Sequence, residues 1–221
     1  MDFEPIDPPK KIRPDSCATC FKPPAYCLCK ALPHPPLKPK LDILILQHPQ
    51  EPDHLLGTAR LAALALRPHA FLKIGLSWPN FKRALGREAD PKKWAVLYLG
   101  SGAKSARPLS PGLHLVDKKG VPLEETPQLE GLVLLDGTWS QAKTLWWRNA
   151  WLMKLRRAVL IPAQPSLYGA IRKEPRKECL STLETIAEAL NQLQALSRSD
   201  SDRLTGLFQS LIAKAKAARS R

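Results

Sequence analysis

The stretch that most constrains this chain is Gly131 to Trp147, GLVLLDGTWSQAKTLWW. Four apolar residues, Leu132 to Leu135, run without interruption after Gly131. Such a run suits a strand covered on both faces, as in a parallel sheet. Asp136-Gly137 then gives a turn signal. Thr138, with Gln141 three residues on, has the form of a capping box and predicts a helix start. Asp136 therefore belongs where the C-terminal end of a buried strand meets a helix N-terminus, the place where open α/β sheets bind ligands. As a plain structural residue, the same acid would be a turn-former facing a helix N-terminus.

The surroundings favour a functional acid. Between Gly137 and Lys173 there is no Asp or Glu, but there are Lys143, Arg148, Lys154, Arg156, Arg157, Arg172 and Lys173. Four of the six tryptophans, Trp139, Trp146, Trp147 and Trp151, fall in the same stretch. Cations interleaved with aromatic rings suit phosphates and unstacked bases. The whole chain carries 34 Lys+Arg against 20 Asp+Glu, a net +14. That balance points to a polyanionic partner, most often nucleic acid, although a basic solubility surface has the same totals.

The rest of the chain reads as alternating strands and helices. Strands are predicted at 41–46, 71–77, 94–99, 113–116 and 158–161, and a helix at 55–66. The segment 78–91 reads as irregular with a short helix. Ser181 and Glu184 form a second capping box before an apolar helical pattern at Leu183, Ile186, Ala187 and Leu190. After a polar break at 197–202, Leu204, Leu207, Phe208, Leu211 and Ile212 mark one face of a last helix, with a basic tail expected to fray. The fold class is α/β, a mostly parallel sheet with helices on both faces.

Residues 1–40 differ in texture, being rich in proline and lysine and holding four of five cysteines. Cys17, Cys20, Cys27 and Cys29 lie within 13 residues. With no secretory leader in view, thiols are expected to be reduced and the protein cytoplasmic. Four clustered thiolates then point to structural zinc rather than disulfides. The spacing matches neither ferredoxin pattern. The chain thus divides into a zinc-binding segment, 1–40, and an α/β domain, 41–221. No apolar run reaches membrane-spanning length. Gln47-His48-Pro49 closes the first strand, and Gly100-Ser101-Gly102 follows another; His48 there is either a ligand contact or a satisfied backbone partner. No Walker or GxGxxG dinucleotide sequence is present.

DGTW (136–139) within LLDGTWSQAKTL resembles the D-x-T-W signature of the DTW-domain family. The cysteine spacing, QHPQE, TARL (58–61), LYLGSGAKS (97–105) and IRKEPRKECLSTLETIAEAL (171–190) resemble that family in the same order. Gly57 stands where the family pattern has Asn, and Leu99 where it has Pro.

The resemblance implies a SPOUT-like domain with a C-terminal knot. It implies transfer of the 3-amino-3-carboxypropyl group of S-adenosylmethionine (SAM) to N3 of a tRNA uridine, releasing methylthioadenosine. Asp136 would be the base, within the motif Asp136, Gly137, Thr138 and Trp139. Gly100, Ser101, Leu135, Ser181, Thr182 and Glu184 would line the SAM pocket, Ser181 and Glu184 being equally readable as a helix cap. Lys143, Arg148, Arg172, Lys173, Arg176 and Lys177 are the candidate RNA contacts. A SPOUT-type methyltransferase and a non-catalytic zinc-bearing RNA-binding protein are the competing readings. The sequence leaves the oligomeric state open.

Overall fold

The computed structural model describes residues 14–51, 54–97, 109–124, 127–169, 171 and 180–219. Among the described residues, six strands form one sheet in the order β2-β1-β5-β3-β6-β4. They are β1 (Asp42–Gln47), β2 (Ala70–Ile74), β3 (Trp94–Leu97), β4 (Gly112–Val116), β5 (Gly131–Asp136) and β6 (Arg156–Ile161). Five run parallel, and β4 pairs antiparallel with β6 at one edge. The helices are α1 (Ala59–Ala65), α2 (Phe81–Leu85), α3 (Trp139–Arg148), α4 (Thr182–Gln192) and α5 (Arg198–Arg219).

The uninterrupted apolar runs are explained by burial on both faces. Ile43, Ile45, Leu132 and Leu134 point into a core shared with α1, α4 and α5. Leu44, Leu46 and Val133 point into the opposite core, with α2, Trp94 and Trp151. The helix between β1 and β2 therefore covers one face, and that between β2 and β3 covers the other. The chain moves outward from β1 to β2, then crosses to β3, and β5 fills the gap between β1 and β3. This is a topological switch point, and β5 ends in it.

Gly131 is required by packing. It lies directly across from Trp94, and a Cβ there would stand 2.5 Å from the indole ring. Asn149 ties the second face together: its side chain accepts from the Trp78 amide and the Trp151 indole, and donates to the carbonyls of Leu76 and Leu145. A fully buried amide is tolerable only when satisfied in this way.

Several expected boundaries move. The first helix begins at Ala59 rather than 55, and the Thr58 hydroxyl does not cap it but accepts from the Leu183 amide of α4. The polar break at 197–202 is mostly the first turn of α5. The basic tail does not fray from the fold as expected: α5 runs to Arg219, whose guanidinium donates to the Ile171 carbonyl, and Ala215 is buried. Trp151 is no RNA-facing ring; it is buried and stacked on Phe81 at 5.4 Å. Apolar fill of the second face outcompetes the aromatic-and-cation pattern there.

The described part of the N-terminal segment packs on the sheet domain. Cys20, Leu28 and Leu37 enter the first core, and the Phe21 ring lies 4.6 Å under the Arg60 guanidinium of α1. No helix among the described residues is long and apolar enough to cross a membrane.

Candidate active site and metal centre

Asp136 is the last residue of β5, and Gln47 is its register partner at the end of β1. Side chains alternate along a strand. Asp136 therefore shares the face of Leu132 and Leu134, and Gln47 that of Ile43 and Ile45. Both point toward α4. The Gln47 amide donates to Asp136 Oδ2 at 2.7 Å. The Thr182 hydroxyl, in the first turn of α4, donates to Oδ1. Three residues far apart in sequence thus meet on one half-buried carboxylate.

The turn after Asp136 is tight. A Cβ on Gly137 would lie 2.9 Å from Cβ of Gln141 and 3.4 Å from Cβ of His48. The Thr138–Gln141 capping box forms as predicted, with Gln141 Oε1 accepting from the Thr138 amide at 2.6 Å. It directs the N-terminus of α3 at the same corner, where the helix dipole favours negative charge. His48 continues the strand pairing, its amide donating to the Asp136 carbonyl at 2.9 Å. Partial burial lowers the His48 pKa, favouring the neutral ring.

The second capping box also forms, and it engages Glu184 on all sides. Its carboxylate accepts from the Ser181 amide (2.8 Å), the Ser166 hydroxyl (2.7 Å) and the Leu167 amide (2.8 Å). Glu184 thus clamps the loop after β6 onto α4. Ser181 is buried as the cap. Of the expected pocket residues, Thr182 reaches Asp136. The Leu135 side chain packs against the opposite core, away from the acid. Gly100 and Ser101 lie outside the described residues. A groove of about 290 Å³ lies beyond α4, between the 162–167 loop and α5. Glu184, Ala187, Glu188 and Asn191 line it, and Asp136 does not.

Cations and rings are displayed on α3. Lys143, Trp147 and Arg148 are exposed, Trp147 at 76%. Trp139 is half-buried, as is Trp146, which lies 5.6 Å from the Arg157 guanidinium. Arg172, Lys173, Arg176 and Lys177 lie outside the described residues.

At the other end of the chain, the four cysteine sulfurs lie within 4.8 Å of one another. Cys17 and Cys29 approach to 3.5 Å, Cys20 and Cys27 to 3.8 Å. Zinc–sulfur bonds of about 2.3 Å in a tetrahedron place sulfurs about 3.8 Å apart. The thiols fit such an ion with no position left for substrate. Backbone amides of Cys20 and Thr19 hold the Cys17 pKa down at about 6, the thiolate form a metal requires. Burial pushes Cys20 and Cys29 up, a cost that a bound cation would reverse.

The sequence model of the DTW domain matches residues 14–216. The chain belongs to the DTW-domain family. It is 37% identical over 195 residues to tRNA-uridine aminocarboxypropyltransferase 2 of Drosophila melanogaster, covering 86% of this chain and 70% of that protein. It is 34% identical to the Macaca fascicularis protein of the same name, again over 86% of this chain but 59% of the relative. tRNA-uridine aminocarboxypropyltransferase A of Arabidopsis thaliana is 24% identical, with 80% and 72% covered. The chain thus spans less than two thirds of the macaque protein's length. No solved structure matches it.

Sequence reasoning missed Gln47 as a partner of the acid. The available signal was a single amide closing the run ILIL at a strand end, where the pattern otherwise demands an apolar residue.

Proposed function

We propose that this DTW-domain protein transfers the 3-amino-3-carboxypropyl group of SAM to N3 of a tRNA uridine, with Asp136 as the base. The observation that carries the reading is a carboxylate set at the switch point of a parallel sheet and oriented by two donors, in a chain similar to proteins named for this reaction. Uridine N3 carries a weakly acidic proton that must leave before nitrogen attacks carbon. Asp136 accepts that proton, and the N3 electron pair forms the new N–C bond. The carbon–sulfur bond of the sulfonium breaks, its electron pair stays on sulfur, and neutral methylthioadenosine leaves.

A carboxylate is in general a weak base for such a proton. Orientation must therefore contribute much of the rate. Thr182 and Gln47 use one lone pair on each Asp136 oxygen and leave one on each for substrate. The amides at the start of α3 and nearby cations would favour the developing uridine anion. Gly100, Ser101, Ser181, Thr182, Glu184 and the Leu135 backbone are the SAM-contact candidates. Lys143, Arg148, Arg172, Lys173, Arg176 and Lys177 are the tRNA-contact candidates.

We read residues 1–40 as a zinc-binding unit docked on the 41–221 domain, with Cys17, Cys20, Cys27 and Cys29 as ligands. The ion would be structural, cross-linking a proline-rich segment. We read the larger domain as SPOUT-like with a C-terminal knot, and the protein as cytoplasmic. The deciding experiment follows the products of purified protein, SAM and tRNA. Methylthioadenosine and label from the aminocarboxypropyl group retained on tRNA support the proposal. S-adenosylhomocysteine would assign methyl transfer instead, and no turnover would assign RNA binding alone.

A further inference from the structure

We infer that Gln47 is the positioning residue of this site, holding Asp136 in one orientation through a hydrogen bond across strands β1 and β5. The inference rests on the proposed role of Asp136 as base. Gln47 closes a strand whose preceding four residues are all fully buried and apolar, and is itself only 3% exposed. An amide at such a place is unfavourable unless bonded. Its observed side-chain partner is Asp136, at 2.7 Å. Register makes that contact unavoidable: the two residues are paired directly, on neighbouring parallel strands, at the rim where the sheet stops.

The chemistry of the amide explains why glutamine serves here. Its NH₂ donates to a carboxylate, and its carbonyl accepts from a carboxylic acid. The uridine proton arrives at a lone pair that Gln47 does not use, so the same NH₂ donation holds the carboxyl before and after the transfer. Leucine or methionine at 47 would suit the core and do neither. Glutamate would place a second carboxylate beside the first, and the pair would share a proton. The amide donates to Oδ2 and fixes that oxygen. Thr182 fixes the other oxygen, so the carboxylate plane is set from two elements, β1 and α4.

The test uses full-length protein, SAM and tRNA. Gln47→Met fills the same space without a donor. It should keep the wild-type melting temperature and SAM and tRNA affinities within a few fold. It should lower the single-turnover rate about ten- to a hundredfold, as expected for losing one hydrogen bond to a charged group. Gln47→Glu keeps the shape, removes the donor to Asp136 and should lower the single-turnover rate at least as much, and it serves if the methionine variant does not fold. Adding Gln47→Met to Asp136→Asn should cost nothing more, because both act through one group. A wild-type single-turnover rate in Gln47→Met, or the same further loss in the Asp136→Asn background, would overturn the inference. Near wild-type activity of Asp136→Asn alone would instead remove the base assignment beneath it.

Discussion

The cysteine cluster and the acid cluster are built by opposite means. Four metal-ligand candidates come from 13 consecutive residues, carried by short turns at Pro24–Tyr26 and Cys29–Ala31. The acid cluster joins Gln47, Asp136 and Thr182, with 89 positions between the first two and 46 between the last two. The first depends on local chain and, as proposed, on a zinc ion. The second depends on the register of β1 with β5 and on the docking of α4. The metal region should therefore fail through loss of one ion, and the acid region through small displacements between elements.

Removing the metal should have the largest effect. The purified, reduced protein should carry about one zinc per chain, as one four-cysteine site requires. Cys27→Ser or strong chelation should release the segment and expose Leu28 and Leu37, which have little other support than the first core. Hydrogen exchange should show protection lost first in residues 14–37 and retained in β1 and β5. Loss spread evenly through the sheet would mean that the two regions are one cooperative unit.

Thr182→Val comes next and addresses only the acid region. It preserves the branched shape and deletes the hydroxyl donor to Asp136. A hydrogen bond to a charged group contributes about 1.5–3 kcal/mol, so the single-turnover rate should fall at least about tenfold. Zinc content and melting temperature should stay near wild type. An unchanged rate would show that α4 caps the site without orienting it.

The smallest effect is expected on α3. Lys143→Ala with Arg148→Ala removes two exposed cations from the helix that begins at the acid. Binding of tRNA should weaken, and the slope of log affinity against log salt should flatten by about one unit for each phosphate no longer neutralised. SAM affinity should not move. An unaltered slope would make these cations a solvated face.

The contrast also explains what could be read without coordinates. Apolar runs, capping boxes and cysteine spacing are local signals, and they point to the strands, both capped helices and the cluster of four cysteines. Asp136 is legible because strand, turn and helix signals converge on it. The α5 terminus is not, because its anchor, the bond from Arg219 to Ile171, is a long-range contact. Trp151 misleads because a tryptophan beside cations has the same local sequence whether it faces RNA or Phe81. Gln47 escapes notice because one glutamine carries no spacing; only strand pairing shows what it touches.

The central claim is that Asp136 takes the proton from uridine N3, and Asp136→Asn tests it most directly. The substitution keeps size and leaves an amide that cannot accept a proton as a carboxylate does. Single-turnover transfer should fall about 10²- to 10⁴-fold, the usual worth of a general base. Melting temperature, zinc content, SAM affinity and tRNA affinity, measured on the same preparation, should stay near wild type. A folded variant transferring the group at close to the wild-type rate would contradict the claim, and loss of SAM binding alone would make Asp136 a cofactor ligand.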